Sequence, residues 1–386
     1  MTFFLTNFAN MKKRNLIFIY PHLHSFIQTE IKLLRTEFNL IYLSQNWYSK
    51  ILVPINLIIQ FIFILKNIKK ADLILISFGG YWSFLPSLIG KIFNKKVAII
   101  VHGTDCIAFD EIKYGNLRSI ILRYVIRKSF QWANIILPVS KSLTFTENNY
   151  YSNSTIKLGY LYHLNEITTP YKVIHNGLII ENWERENIIR DKKSFITVIS
   201  SHNQFVRKGI DLILNVAKKL PDCKFYIAGI NNVEYTKCNG NIIHLGRLTP
   251  DELKKWYSKT QFYLQLSVFE GFGVALCEAM LCNCIPIVSN VNFLPSIIGK
   301  SGFILDKRNS DKLYNLIKTA LKSDISILES KARERIIKYF PISKRKKILT
   351  EVLNDNSKNN PPIKDKSKAN KLMKSLNLFQ QNEAQT

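Results

Sequence analysis

The stretch "SVFEGFGVALCEAMLCNCIPIVS", Ser267 to Ser289, sets a Gly-Phe-Gly turn between an apolar strand pattern and a short helical run that leads into a second strand, "IPIVS" (285–289). A strand, a tight turn, a helix and another strand make one βαβ unit, the building block of a doubly wound parallel sheet. Two glutamates, Glu270 and Glu278, bracket the turn. A carboxylate near a helix start is favourable against the helix dipole, and a second one further on can simply be solvated. In a doubly wound sheet, however, ligands sit beyond the carboxyl ends of the strands. The amides of Phe272, Gly273 and Val274 are then helix-terminal donors facing that crevice, ready for phosphate. Gly271 and Gly273 allow the tight turn, and Glu278, about a turn and a half into the helix, suits ribose hydroxyls. Leu276 stands where a dinucleotide fingerprint has its third glycine.

The same rhythm runs outward in both directions. Apolar runs at 15–20, 39–43, 72–77, 97–102, 134–140 and 171–175 predict buried parallel strands in a first half. Runs at 195–200, 224–230, 241–246, 261–267 and 285–289 predict a second set. Thr249 with Glu252 three residues on forms a capping box for the helix "TPDELKKWYSK". The expected organisation is a first domain over 1–176, a hinge near Asn176-Gly177, a second domain over 177–340, a helix at 341–355 packing back toward the first domain, and a disordered basic tail over 356–386.

A chain of 386 residues exceeds one core, which agrees with two domains. The 54 Lys and Arg against 28 Asp and Glu give a net charge of +26. That balance suits anionic partners: nucleic acid, an acidic membrane surface or phosphorylated substrates. The charge is dispersed, and no stretch interleaves basic and aromatic side chains as a nucleic-acid reader does, so no nucleic-acid partner is expected. Six cysteines without a secretory leader read as small buried hydrophobes in a reducing cytoplasm, and Cys282-Asn-Cys284 lacks the spacing of a zinc knuckle. The N-terminal segment is not patterned as a signal peptide, and Met11, ahead of "KKRNLIFIY", is an alternative start. The run "ILVPINLIIQFIFIL" (51–65) is too short to span a membrane and reads as a buried or a membrane-surface helix.

The segment "EGFGVALCEAM" resembles the Glu-x7-Glu signature of the retaining glycosyltransferases of family 4, the group 1 glycosyl transferases of GT-B fold. The likeness extends over "RKGIDLILNVAKKLPDCKFYIAGI" and "SGFIL" in the second half, and over "SFGGYWSFLPSLIGKIFNKKVAIIVHGTDC", "ANIILPVSKSL" and "VIHNG" in the first. It implies two Rossmann-like domains facing across a cleft, with a UDP-, GDP- or other nucleoside diphosphate sugar as donor and neither metal nor other cofactor. By this likeness Glu278 holds the donor ribose, Glu270 lies by the sugar or phosphate, and the 272–274 amides hold sugar and diphosphate. Lys208 meets the diphosphate, as a cation must where no metal neutralises the leaving group. Asn203 stands where the family often has an arginine, and Arg207 substitutes for it. His102 reaches the donor sugar from the first domain, with Asp105 nearby on the acceptor side. Ser25 and Phe26 replace the paired glycines of many members, and the base pocket is expected at Gly246-Arg247-Leu248. The implied acceptor is a glycan or a lipid-linked glycan of bacterial surface polysaccharide or lipopolysaccharide synthesis, met on the anionic inner face of the plasma membrane. A glycosidase using Glu270 and Glu278 as acid and nucleophile is the competing enzyme reading, and a nucleic-acid binder the competing non-enzyme one.

Overall fold

Strands that read as unbroken apolar runs need cover on both faces, and helices provide it throughout the computed structural model, which describes residues 13–47, 49–230 and 240–355. The first sheet contains β1 (Asn15–Ile19), β2 (Asn39–Tyr42), β3 (Leu73–Ser77), β4 (Lys96–Val101) and β5 (Ile135–Pro138), all parallel in the order β2-β1-β3-β4-β5. Helices α1 (Ser25–Glu37), α2 (Val53–Asn67), α3 (Tyr81–Ile92) and α4 (Ile120–Trp132) make the crossovers. A short antiparallel hairpin, β6 (Thr146–Asn148) and β7 (Ile156–Leu158), and one turn of helix, α5 (Tyr160–His163), follow. The expected strand at 171–175 is instead extended chain laid along β5. Lys172 N–H donates to Ile136 O and Ile174 N–H to Pro138 O, with a single bridge at Tyr171.

The second sheet contains β8 (Asp191–Val198), β9 (Lys224–Ala228), β10 (Ile242–Gly246), β11 (Thr260–Gln265), β12 (Ile285–Ser289) and β13 (Phe303–Leu305), parallel in the order β10-β9-β8-β11-β12-β13. Its helices are α6 (Ile210–Lys219), α7 (Pro250–Lys259), α8 (Val274–Leu281), α9 (Leu294–Ile298), α10 (Ser310–Leu321) and α11 (Ile325–Tyr339). The Thr249–Glu252 capping box starts α7, as expected. The alternative start at Met11, Cys238 and the 356–386 tail lie outside the described residues.

The chain crosses between domains twice, and the two crossings pair. Leu178 N–H donates to Phe340 O (2.9 Å) and Ile342 N–H to Leu178 O (2.8 Å). The last helix, α12 (Ile342–Asn354), then packs on α1, where Arg345 Nε donates to Glu30 Oε2 at 2.9 Å with both side chains buried. Gly177 makes room for that helix, since a Cβ there would lie 2.7 Å from Ile342 Cα.

Each strand order reverses once, between β1 and β3 in the first sheet and between β8 and β11 in the second. Loops diverge at such points and leave a crevice at the carboxyl ends of the strands. The residues singled out from the sequence lie mostly on four such segments: 20–26 after β1, 199–209 after β8, 266–273 after β11, and the end of β4 beside the 78–80 loop that follows β3.

Candidate active site

On the second-domain side, the loops after β8 and β11 are locked together. Gly209 adopts φ +72°, and a Cβ there would sit 2.6 Å from Leu266 Cβ. This contact carries Lys208 to Glu270: Lys208 Nζ lies 2.6 Å from Glu270 Oε2, which also accepts from Gln265 Nε2 (2.9 Å) and Ser267 Oγ (3.1 Å). The Glu270 N–H donates to Asn292 Oδ1 at 3.1 Å. Burial pushes the Glu270 carboxyl up, but the Lys208 and Arg207 charges outweigh it and hold the group below the usual carboxylate range. Glu270 is therefore an anion that aims Lys208. Gln265 and Ser267 escaped the sequence reading. Their signal was there in "QLS", two polar side chains two residues apart, and so on one face at the end of an apolar strand.

The turn that follows is built from glycine for two separate reasons. Gly273 caps α8 at φ 100°, a left-handed conformation, without any side-chain cap. A Cβ on Gly271 would collide with the carbonyl of His102 in the other domain. The amides of Phe272, Gly273 and Val274 have no acceptor among the described residues, whereas the Phe272 ring turns away to pack on Phe340 (5.4 Å) and Phe293 (6.0 Å). Five residues past the cap, Glu278 is partly buried, and burial alone pushes its carboxyl up to about 7. No hydrogen bond or ion pair among the described residues reaches that carboxylate. The two glutamates are thus held in opposite states, one clamped and ionised, the other open and poised.

Across the cleft, His102 ends β4 with Nε2 3.0 Å from Ser77 Oγ and its ring 4.2 Å from Phe78 and 5.2 Å from Phe26. Burial, with smaller contributions from Arg345 and His24, holds the imidazole well below its usual pKa, so it is neutral. Phe78 is itself a non-glycine residue at φ 64°, the kind of local strain that surrounding contacts must hold in place. Asp105 departs from the acceptor-side expectation. It is fully buried and accepts from the amides of Gly79 (2.9 Å), Gly103 (2.9 Å) and His102 (3.1 Å), so it staples the loops that present His102 and shows no surface to the cleft. Ser25 is exposed at the first position of α1, and Phe26 fills the place of the missing glycines with an aromatic wall.

Arg207 lies between the domains, with its guanidinium 4.6 Å over the Tyr114 ring, Nη1 3.3 Å from Phe269 O, and Nε without a partner. Asn203 is exposed and bonded to Ser201 Oγ (2.7 Å), and Arg247 is exposed on the turn after β10. Contacts that hold the turn from the first domain were not legible from sequence: Ser140 Oγ donates to Gly271 O and Asn148 Nδ2 to Val268 O, both at 2.7 Å. Cys282 and Cys284 are buried, donating to backbone carbonyls. No three His, Cys, Asp or Glu side chains among the described residues are grouped to hold a metal ion.

Two parallel α/β domains, with the uncapped start of α8 at the switch point of one sheet and a histidine at the end of β4 in the other, have the fold of the GT-B class. The sucrose-phosphate synthase of Thermosynechococcus elongatus superposes with a TM-score of 0.69 over 88% of this chain and 98% of that one, at 12% identity. HepE of Anabaena, solved with UDP and glucose, gives 0.65 over 89% and 100%, also at 12% identity. Within that class, residues 180–341 match the family model for glycosyl transferases group 1. Among sequence relatives, the phosphatidylinositol N-acetylglucosaminyltransferase gpi3 subunit of Schizosaccharomyces pombe is 24% identical over 58% of this chain and 53% of its own length. Protein CapJ of Staphylococcus aureus is 25% identical over 69% and 66%, and the O-antigen chain mannosyltransferase B of Escherichia coli is 32% identical over 24% of each. The chain thus spans about half to two thirds of the first two relatives and about a quarter of the third.

Proposed function

We propose that the protein is a retaining glycosyltransferase of the family 4 type. In this reading it moves a hexosyl unit from a UDP-, GDP- or other nucleoside diphosphate sugar to a glycan or lipid-linked acceptor. The work is bacterial surface polysaccharide or lipopolysaccharide synthesis, done without a metal on the cytoplasmic side of the membrane. The observation that carries the reading is Glu278, a poised carboxylate with no partner among the described residues, five residues past an uncapped helix start whose preceding turn holds the Glu270–Lys208 pair. Such a group suits the ribose hydroxyls of a nucleotide. The free amides at 272–274 suit the diphosphate, and Lys208, aimed by Glu270, meets the charge that develops on it. Neutral His102 offers the sugar a hydrogen bond rather than a second positive charge. As the C1–O bond breaks, its electron pair leaves on the diphosphate oxygen. The acceptor oxygen bonds to C1 on the same face, and its proton passes to the departing phosphate. Support for nucleotide sugar comes from HepE, which binds UDP and glucose, and for surface glycans from the mannosyltransferase named above. Neither a glycosidase nor a nucleic-acid binder stands among the relatives named above.

The test is a panel of nucleotide sugars assayed for nucleoside diphosphate release, with lipid-linked and free glycan acceptors, with and without a chelator, and with the product anomer read by NMR. One sugar nucleotide should turn over with retention and resist chelation. Loss of transfer on chelation, restored by manganese, counts against the metal-free reading. Failure of every donor to bind counts against the whole.

A further inference from the structure

Helix α2 is packed inside out. Its fully buried positions are Asn56, Gln60 and Ile64, with Phe63 half-buried against the core beside them, so two of the three side chains it buries fully are amides. Gln60, with 0% exposure, donates to Trp82 O at 3.1 Å. Asn56 donates to Asn46 O at 2.8 Å and is met by Gln45. The outward face carries Ile55 (54% exposed), Ile58 (61%), Ile59, Phe61, Ile62 and Leu65, spaced 55, 58, 62 and 65 along one side. An ordinary surface helix has the reverse arrangement, and a contiguous exposed apolar stripe marks a surface that meets something else.

Its charge surroundings identify what. Lys66, Lys69 and Lys70 are exposed at the end of the stripe, and neighbouring α3, which runs parallel to α2, ends in exposed Lys91, Ile92 and Phe93. No Asp or Glu occurs between Ile51 and Ala71. We propose that this face docks on an anionic lipid bilayer, with α2 lying in the plane, Ile58 and Ile62 in the acyl boundary and the lysines among the headgroups. A second copy of the chain is a poorer occupant, because the patch offers lysines at one end and no acid anywhere to complement them. No helix among the described residues is long and apolar enough to cross a membrane, so the contact is one of surface. Gln60 also ties α2 to Trp82, two residues after the loop packed on His102. Docking therefore holds the first domain's half of the cleft beside the bilayer. That consequence rests on the proposed glycosyl transfer, whereas the docking itself does not.

The test is co-sedimentation of the full chain with vesicles of phosphatidylcholine alone or mixed with phosphatidylglycerol, at low and raised salt. Binding should be about tenfold or more tighter on the mixed vesicles and weaken with salt. The pair Ile58→Glu and Ile62→Glu should remove it, and Lys66→Glu, Lys69→Glu and Lys70→Glu together should remove the preference for acidic lipid. Thermal unfolding midpoints near that of wild type establish that the variants are folded, independently of any chemistry. Should a variant unfold, an environment-sensitive fluorophore on Ile58→Cys serves instead, and its emission should shift to the blue with mixed vesicles. The proposal is overturned if wild type fails to sediment with either vesicle, if the Ile58/Ile62 variant binds as wild type does, or if the fluorophore does not respond. It is also overturned if the stripe instead drives a concentration-dependent dimer that excludes vesicles.

Discussion

Replacing Glu278 by glutamine keeps the shape of the side chain, removes its charge, and should move stability and donor affinity in opposite directions. In the ligand-free protein, burial alone lifts this carboxyl from the ordinary 4.5 to about 7. That difference corresponds to roughly 3 kcal/mol between folded and unfolded states. The folded state holds the proton more tightly, so the contribution to stability is fully present below about 4.5 and is lost as pH rises through about 7. Glutamine cannot ionise and escapes the loss. Urea unfolding of Glu278→Gln and wild type should therefore nearly coincide near pH 4, with the variant more stable by roughly 3 kcal/mol at pH 8. Donor binding should run the other way. Hydrogen bonds from ribose hydroxyls to an ionised carboxylate contribute about 1.5–3 kcal/mol, so the variant should bind the nucleotide sugar about ten- to a hundredfold more weakly at pH 8. Wild-type affinity, measured by calorimetric titration, should fall as pH drops through about 7, and the variant's should not. A stability difference that stays flat with pH, together with unchanged donor affinity, would refute both the poised carboxylate and its role.

Lys208→Met should lower turnover by about 10²–10³ with a smaller change in KM, because the lysine is needed most when charge develops on the leaving diphosphate; steady-state kinetics read the split. Gly271→Ala places a methyl group against the His102 carbonyl. The domains should open, seen as a larger radius of gyration in small-angle scattering, and kcat/KM should fall while each domain stays folded. Arg345→Leu strands Glu30 in the interface between α12 and α1 and should cost about 3–5 kcal/mol in denaturant unfolding, much of it recovered by adding Glu30→Gln.

The fold was legible because parallel strands covered on both faces must be apolar throughout, and ten of the expected runs fall on β1–β5 and β8–β12 with ends displaced by a few residues. The three-residue strands were not: Phe303–Leu305 is too short to show a period, and Thr146–Asn148 and Ile156–Leu158 mix polar and apolar side chains and are held by tertiary contacts such as Asn148 to Val268. The site divides along the same line. Glu270, the glycines and Glu278 share one turn and one helix, so their relation is local and visible in sequence. The clasp that seats the turn joins residues 131 positions apart, Ser140 and Gly271, and depends on how two domains meet. Asp105 shows the limit from the other side. An acid beside a strand-end histidine reads equally well as a ligand group or a staple, and only its three backbone donors decide for the staple.

The helix at 53–67 is the case where periodicity identifies two faces and cannot say which one turns inward. The stripe Ile55, Ile58, Ile62, Leu65 has the spacing of an ordinary core face, yet the described structure seats Asn56 and Gln60 inward instead. Carbonyls supplied by Asn46 and Trp82 make that possible, although Gln60 Oε1 still lacks a partner. An internal amide hydrogen bond nets only about 1 kcal/mol, whereas each large aliphatic side chain left in water forgoes about 1.5–3 kcal/mol of burial. In water alone, the half-exposed stripe forgoes part of that stabilisation, and Ile64 with the half-buried Phe63 is what the inner face offers in its place. The observed orientation becomes favourable once something removes the stripe from water. The lysines that edge it, with no acid between Ile51 and Ala71, fit an anionic bilayer surface better than the face of another protein copy.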